Sequence, residues 1–383
     1  MYKEALEHFE TILKSQTARV EKMKNSPPEK DYSTLPKITV GIIEGDGIGP
    51  IITKQAYRVL QYLLKDKLEN GRIELRRIDG LTLENRIAKG STIPTDVLMQ
   101  IKECDVILKG PTTTPQKGGD IPNMESANVV LRRELDLFAN VRPVKVEEEG
   151  IDWTFFRENT EGEYALGSCG IDIGEDYSVD FKVTTDKGTY RIAKAAFDFA
   201  KANGKNKVAI VTKANILKKT DGRFSEICKK VAADYPEITC EEWYVDIMSA
   251  NLINNAIRSQ FQVFILPNLY GDIITDEAAQ IQGGVGTAGS ANIGTQYAMF
   301  EAIHGSAPRM IEQGVGEYAN PSSILKAVEM LLRHIHCIAE ADSLCKAMKN
   351  CEENGDITVT GDKNGDTTEA YTNYLIKTID RLK

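Results

Sequence analysis

A continuous apolar run, FQVFILPN (261–268), opens the stretch that most constrains how this chain can fold. Its lack of alternation predicts a strand covered on both faces, as in the sheet of an α/β protein. Asp272 and Asp276 follow, four residues apart, with Thr275 between them as a candidate N-cap for the next helix. On a helix that spacing stacks both carboxylates on one face. Like charges so placed repel unless a cation lies between them, and a hard divalent ion with oxygen ligands is the natural filler. The plainer alternative is a helical turn carrying two solvated acids. Gly283, Gly284, Gly286, Gly289 and Gly294 then leave the backbone open to close approach.

At 383 residues, two domains or one large α/β unit is expected. A formal net charge of −9 and the lack of a basic stripe argue against a nucleic-acid partner. No apolar run reaches membrane-spanning length, so no membrane association is expected. Cys104, Cys169, Cys228, Cys240, Cys337, Cys345 and Cys351 form no CxxC pair, and read as reduced thiols, mostly in the core.

Residues 1–36 have the character of an appendage. MYKEALEHFETILKSQTARVEKMKN has helical spacing with Ala5, Phe9, Ile12 and Leu13 on one stripe, broken at Pro27 and Pro28. A helix packed on the body or on a partner subunit is expected, with a frayed tail as the alternative. The segment has no apolar signal core, and Glu4, Glu7, Glu10 and Glu21 are foreign to organellar transit peptides. A cytoplasmic protein is expected rather than a mitochondrial one.

GDGIGP places Gly45, Gly47 and Gly49 in a GxGxG spacing followed by Pro50, which is not the Rossmann fingerprint. CDVILKGPTTTP reads as a buried strand ending in Lys109 and threonines, suited to an anionic ligand or forming a polar loop. SANVVLRRELDLFANVRPV carries Ser126, Asn128, Arg132 and Arg142, and guanidinium forks bind carboxylates bidentately. WTFFRENTEGEY sets Arg157 at the end of an aromatic strand, with Tyr164 seven residues on. Residues 165–190 are short, alternating and glycine-punctuated, and read as projecting antiparallel strands. Beyond them helices and strands alternate, with Lys213 and Asp246 each at a strand end and His304 and Gly305 ending another. DITVTGDKNGDTTEAYTNYLIKTI closes the chain as a short strand and a helix.

In this order, GDGIGP, SxN…LR…NVRP, RENTEGEY, VTKAN, NLYGDIITDEAA…GGVGTAGSANIG and EAIHGSAP resemble the β-decarboxylating dehydrogenases. That family holds the isocitrate, homoisocitrate and 3-isopropylmalate dehydrogenases, and the resemblance covers roughly residues 38–383. It implies the α/β fold of the isocitrate/isopropylmalate dehydrogenases, which is not a Rossmann fold. Residues 38–137 and 283–383 would form the large, cofactor-side domain. Residues 138–282 would form the smaller domain with a dimer clasp near 165–190, and 1–37 an N-terminal helical extension. The active site would lie between the domains and be completed by a second protomer in a homodimer or a higher oligomer.

Carried over by motif, Asp272 and Asp276 with Asp246 of a partner subunit would hold Mg²⁺ or Mn²⁺. Tyr164 and Lys213 would be the acid–base residues, and Arg132, Arg142 and Arg157 would hold substrate carboxylates. Thr114, His304, Gly305, Ser306, Ala307, Pro308, Arg309 and Asn320 would contact the nicotinamide nucleotide.

Family members differ at the group on the substrate's third carbon. Ser126 and Asn128 suit a carboxylate there; an isopropyl group would leave both unpaired, at about 1–3 kcal/mol each. Isocitrate is therefore favoured over 3-isopropylmalate, with homoisocitrate as the alternative, since one methylene changes binding by about 1–3 kcal/mol. NAD-using members commonly carry an aspartate directly after HGSAP; this chain has Arg309, compatible with a 2′-phosphate. NADP-specific bacterial members usually carry a tyrosine where this chain has Gly361, so NAD and NADP both stay open. A non-catalytic regulatory subunit, the reading from another class, is opposed by the presence of Asp246, Asp272, Asp276, Tyr164 and Lys213.

Overall fold

The computed structural model describes residues 2–114, 124–167 and 169–382. Its strands are β1 (Ile38–Ile43), β2 (Ile73–Arg77), β3 (Val106–Lys109), β4 (Ala139–Val146), β5 (Ile151–Glu158), β6 (Ile171–Ile173), β7 (Tyr177–Val179), β8 (Lys207–Thr212), β9 (Thr239–Tyr244), β10 (Val263–Leu266), β11 (Gly289–Ile293) and β12 (Ala298–Ala302). Its α-helices are α1 (Tyr2–Lys24), α2 (Gly49–Leu63), α3 (Lys65–Glu69), α4 (Leu83–Lys89), α5 (Thr95–Lys102), α6 (Ala127–Glu134), α7 (Asp186–Ala202), α8 (Thr220–Ala232), α9 (Val245–Leu252), α10 (Asn268–Ile281), α11 (Pro308–Glu312), α12 (Ser322–His334), α13 (Ile338–Asn354) and α14 (Thr368–Arg381).

The chain divides into two compact units, one of residues 1–29, 132–282 and 293–295, the other of 30–131, 283–292 and 296–383. In the first unit the strand order is β4-β5-β10-β8-β9, parallel except for the β4–β5 pair, in which Ala139 faces Glu158 and Val146 faces Ile151. The two-residue period of these strands sends alternate side chains into two cores. Phe156, Ile210, Val263 and Ile265 join α7 and α8 through Ile192, Phe197 and Phe224. Phe155, Val211, Phe264 and Leu266 join α9 and α10 through Met248, Leu252, Ile274 and Ala278. All four residues of β10 are buried, as a strand covered on both faces requires.

In the second unit the order is β2-β1-β3-β12-β11. β1 pairs in parallel with β2 and β3, and β12 in parallel with β3. Among the described residues no helix is long and apolar enough to cross a membrane. All seven cysteines are free thiols, and Cys104, Cys228, Cys337 and Cys351 are buried.

Several local expectations need correcting. Thr275 is not an N-cap: α10 begins seven residues earlier, after Pro267, and the Thr275 hydroxyl donates to the Gly271 carbonyl at 2.6 Å in mid-helix. In 165–190 the strands shrink to three-residue β6 and β7, and α7 begins at Asp186, where the Thr185 hydroxyl accepts from the Gly188 N–H as an N-cap. Asp246 lies in the first turn of α9 rather than at a strand end. Residues 356–367 contain no strand, because the Asp366 carboxylate takes the Thr358 N–H and the Asp362 carboxylate the Asn364 N–H, closing local turns. Lys109 is not presented to an anionic ligand: it is fully buried, 3.1 Å from Glu301.

The N-terminal helix packs on the first unit. Its seam is Phe9, Ile12, Gln16, Arg19 and Met23, while Leu13, assigned to the stripe from the sequence, is 51% exposed. Phe9 stacks on Phe181 with centroids 5.3 Å apart, and Ile12 and Met23 are buried.

Candidate active site

In the first unit, β5 delivers Arg157 onto the start of α10, where Gly271 makes room. A Cβ at Gly271 would fall 2.5 Å from Arg157 Cγ, so any other residue would displace the arginine. Arg157 Nε and Nη2 donate to Asn268 Oδ1 at 3.0 and 2.7 Å, and Nη1 donates to Asp272. Burial and the nearby Arg132 hold the Arg157 pKa below its usual value, while Asp272 opposes them. Burial pushes the Asp272 carboxyl up, but Arg157, the Tyr164 hydrogen bond, Arg142 and Arg132 together bring it below the ordinary aspartate value.

Tyr164 donates its hydroxyl hydrogen to the other oxygen of Asp272, and the Arg157 guanidinium lies 5.2 Å from the centre of its ring. Burial first, then Asp272, raises the phenol above its ordinary value, so it keeps its proton at neutral pH. Arg142 Nη1 donates to Thr275 Oγ1 at 2.6 Å and Asp276 Oδ1 at 2.9 Å, with Nη2 3.7 Å from Asp272. Arg142, Arg157, Tyr164, Asp272 and Asp276 therefore form one cluster, with Arg132 contributing to its positive field.

Lys213 and Asp246 form a second cluster, Nζ donating to Oδ1 at 2.6 Å. Asp246 is exposed, and the Lys213 bond leads the causes that lower its pKa. Beneath it lies a charge pair that spacing alone does not reveal. Fully buried Asp221 accepts the Lys213 backbone N–H at 2.8 Å. The Lys182 ammonium sits 2.6 Å from Asp221, 3.2 Å from Glu163 and 4.7 Å from the centre of the Tyr270 ring. Lys182 thus joins the segments bearing Tyr164, Lys213 and Asp272, although its own segment gave no signal beyond strand-like alternation.

In the second unit the GDGIGP segment is a buckle between loops. Gly45 and Gly47 take φ of 75° and 59°, and a Cβ on either would lie 2.1 or 2.0 Å from the Pro111 or Ser306 carbonyl oxygen. Asp46 accepts the backbone N–H of Leu83 at 2.8 Å and of Thr113 at 2.7 Å. Thr113 and Ser306 join through their hydroxyls at 2.7 Å, and fully buried Arg86 donates to the Thr113 carbonyl at 2.8 Å. Asp46, Arg86 and Thr113, none singled out from the sequence, hold the loops of Thr114 and His304–Pro308. Ala307 has φ of 44°, a left-handed conformation rare outside glycine and asparagine, directly before Pro308. His304 Nδ1 lies 2.9 Å from the Gly305 carbonyl, and its Nε2 is buried with no hydrogen-bond partner among the described residues. Thr114, Gly305 and Arg309 are exposed, and Asn320 Oδ1 accepts the Ser322 N–H at 2.9 Å as α12 begins. Ser126 lies just before α6, and Asn128, on α6, accepts the Thr112 hydroxyl at 3.1 Å.

The donor sets fit what the motifs imply. Asp272 and Asp276 offer hard oxygen ligands on one helix face, with side chains 35% and 59% exposed. Among the described residues no three His, Cys, Asp or Glu side chains of one chain gather as a metal site. The unpaired Nε2 of His304 and the hydroxyls of the 112–114 and 304–308 loops suit a polar cofactor.

These features define an α/β protein with paired helical carboxylates under an arginine cluster in one unit and a glycine-buckled loop set in the other. The family model described as isocitrate/isopropylmalate dehydrogenase matches residues 39–379, and the chain belongs to that family. It is 38% identical over 325 residues to the isocitrate dehydrogenase (NADP) of Rickettsia prowazekii, covering 82% of this chain but spanning only 63% of that relative. It is 34% identical over 357 residues to the homoisocitrate dehydrogenase of Methanocaldococcus jannaschii, covering 88% of this chain and 98% of the relative. The crystal structure of isocitrate dehydrogenase from Methylococcus capsulatus superposes with a TM-score of 0.76 at 32% identity, covering 89% of this chain and 99% of that one.

Proposed function

We propose that this chain is an oxidatively decarboxylating isocitrate dehydrogenase, converting isocitrate to 2-oxoglutarate and CO₂ with reduction of NAD⁺ or NADP⁺. The observation that carries this reading is the Arg157–Asp272–Tyr164 arrangement beside Arg142–Asp276. Arg132, Arg142 and Arg157 outnumber the two aspartates, so the cluster suits an anion. A divalent cation and a tricarboxylate added together would leave it close to neutral. When bound, Mg²⁺ or Mn²⁺ supplies Lewis-acid polarisation of the substrate's oxygen, and the nicotinamide accepts the hydride.

The chain's own residues do the rest. Arg132, Arg142 and Arg157 hold carboxylates through guanidinium forks. Lys213 Nζ takes part in removing the substrate hydroxyl proton. Tyr164 Oη, kept protonated by burial and Asp272, supplies a proton to the carbon that lost CO₂. Such acid–base steps are typically worth about 10²–10⁴-fold each. Ser126 and the Asn128 amide donate to the third-carbon carboxylate, and Thr114, His304–Arg309 and Asn320 receive the nucleotide.

A homodimer, with Asp246 and Lys213 completing the partner's site, is part of the proposal. Apolar side chains exposed on and beside α9 and α10 support it: Tyr244 at 41%, Ile247 at 45%, Ile253 at 63% and Ile273 at 60%. Homoisocitrate is the second reading, favoured by the near full-length match to a homoisocitrate dehydrogenase. The test is an assay of the purified chain with Mn²⁺ and isocitrate, homoisocitrate or 3-isopropylmalate, with NAD⁺ and NADP⁺ in parallel and a chelator control. Chelator-sensitive turnover of isocitrate above the others supports the reading; faster turnover of homoisocitrate replaces it with the second.

A further inference from the structure

Helix α1 lies outside the residues that match the family, 39–379, yet it makes a charged contact with the segment that carries Tyr164. Arg19 Nη1 donates to Glu161 Oε1 at 3.0 Å, and Nη2 donates to the Thr160 hydroxyl at 3.2 Å. Glu161 is 2% exposed, and Arg19 is its only cationic partner among the described residues. The Glu161 side chain also takes the Thr185 N–H at 2.8 Å and the Thr185 hydroxyl. Glu158, also 2% exposed, accepts the Glu161 N–H at 2.6 Å. Two buried carboxylates therefore lie three residues apart in RENTEGEY, flanked by Arg157 and Tyr164.

A second positive charge facing this pair is Arg191 on α7, and it is shared. Its guanidinium grips Asp136 at 2.6 and 2.8 Å and reaches the Thr160 hydroxyl at 3.1 Å. Thr160 in turn donates to Glu158 at 2.8 Å, so its hydroxyl uses its hydrogen and both lone pairs. Without Arg19 a buried carboxylate would face a second one with no positive charge of its own.

From Glu161 the path to the site is short. Its carbonyl accepts Asn268 Nδ2 at 3.0 Å, and Asn268 Oδ1 is the atom that holds Arg157. Arg157 and Tyr164 then meet on Asp272.

We propose that Arg19 is a positioning residue, and that α1 is an added strap fixing residues 158–164 so that Arg157 and Tyr164 converge on Asp272. Phe9 on Phe181 and His8, whose Nε2 lies 2.9 Å from the Cys169 carbonyl, anchor the strap further along the same stretch of chain. The proposal rests on the dehydrogenase reading for its catalytic consequence but not for its structural one.

The test compares the full-length chain with Arg19→Met, Arg19→Lys and Arg19→Met/Glu161→Gln, by steady-state kinetics and by hydrogen exchange of 158–167. Arg19→Met is expected to lower kcat about tenfold or more, with a smaller change in the cofactor KM, since slight misplacement of reacting groups is costly. It is also expected to raise exchange in 158–167. The kcat deficit should be largest at high pH and shrink as pH falls, because Glu158, whose carboxyl burial and Glu161 push up to about 7, takes up a proton and removes one of the two buried charges. Arg19→Lys, and removal of the stranded charge in the double variant, should each restore most of the loss. Unchanged kcat and unchanged exchange in Arg19→Met would overturn the proposal, as would a deficit that neither pH nor Glu161→Gln moves. If Arg19→Met does not fold, Phe9→Ala loosens the strap without stranding a charge and should give the same exchange signature. A wild-type chain inactive on all three hydroxy acids would sink the dehydrogenase reading, while hydrogen exchange would still decide the strap.

Discussion

Tyr164 and Asp272 share a hydrogen bond in which the phenol donates to a carboxylate that Arg157 grips through its other oxygen. The proposed acid and the proposed metal ligand are therefore set against each other before any ligand arrives. Tyr164→Phe removes the proton donor while leaving the ring over Arg157. The expected outcome is a kcat about 10²–10⁴-fold lower with little change in the isocitrate KM, read in steady-state assays at saturating Mn²⁺.

Asp276 tests the metal assignment separately from folding. Its side chain is 59% exposed, and although its partner Arg142 is only 7% exposed, that guanidinium also holds Thr275 Oγ1 at 2.6 Å and lies 3.7 Å from Asp272, so it is not stranded when Asp276 is neutral. Asp276→Asn should leave the melting temperature nearly unchanged. Mn²⁺ affinity, read by electron paramagnetic resonance of the unreacted protein, should fall about tenfold or more.

Glu158 predicts a pH dependence of stability. Burial, then the neighbouring Glu161, pushes its carboxyl up to about 7 from an ordinary 4.5. A raised acid binds more protons folded than unfolded, so stability is lost as pH rises from about 4.5 to about 7, by up to about 3 kcal/mol. Denaturant titrations of the wild type across that window should show the decline. Glu158→Gln should flatten the slope, even though its amide cannot accept every N–H that the carboxylate does.

The strand–helix alternation, the carboxylate pair on α10 and the arginines were legible because periodicity and spacing survive in the sequence. FQVFILPN reads as a two-faced strand, and its side chains do divide between two cores. Thr275 was misread because a helix start depends on what the preceding backbone does, and Pro267 ends β10 so abruptly that α10 begins at once. Leu13 was misread because the docking seam of α1 includes Gln16 and Arg19, which an apolar stripe does not reveal. Lys182, Asp221 and Arg86 escaped for a related reason. Each has its deciding partner far off in sequence, Asp221 for Lys182 and the Thr113 carbonyl for Arg86, and local pattern says nothing about such contacts.

Lys182 can be tested as one of those pairs. Its ammonium compensates Asp221, which is fully buried and orders the Lys213 backbone. Lys182→Met would strand that carboxylate at about 3–5 kcal/mol, the range for a broken buried pair. The denaturant midpoint should drop accordingly. Lys182→Met/Asp221→Asn should recover part of it, since the neutral amide no longer needs a cation.

The proposed discriminator between NAD⁺ and NADP⁺ is Arg309. It lies exposed on the short helix α11, one residue after Pro308 and directly beyond the loop that carries His304. A guanidinium there can pair with a 2′-phosphate through two N–H donors, whereas an aspartate would repel it and accept from a ribose hydroxyl. If Arg309 reads a phosphate, Arg309→Asp should lower kcat/KM for NADP⁺ by about tenfold or more, the scale of a lost charge-assisted bond. The value for NAD⁺ should stay level or rise. Since Arg309 is exposed and makes no ion pair among the described residues, folding should be unaffected, and the melting temperature checks this. A variant whose NADP⁺ to NAD⁺ ratio does not move would mean that Arg309 faces solvent in the complex, leaving discrimination to the 356–367 loop, where Gly361 stands with φ of 84°.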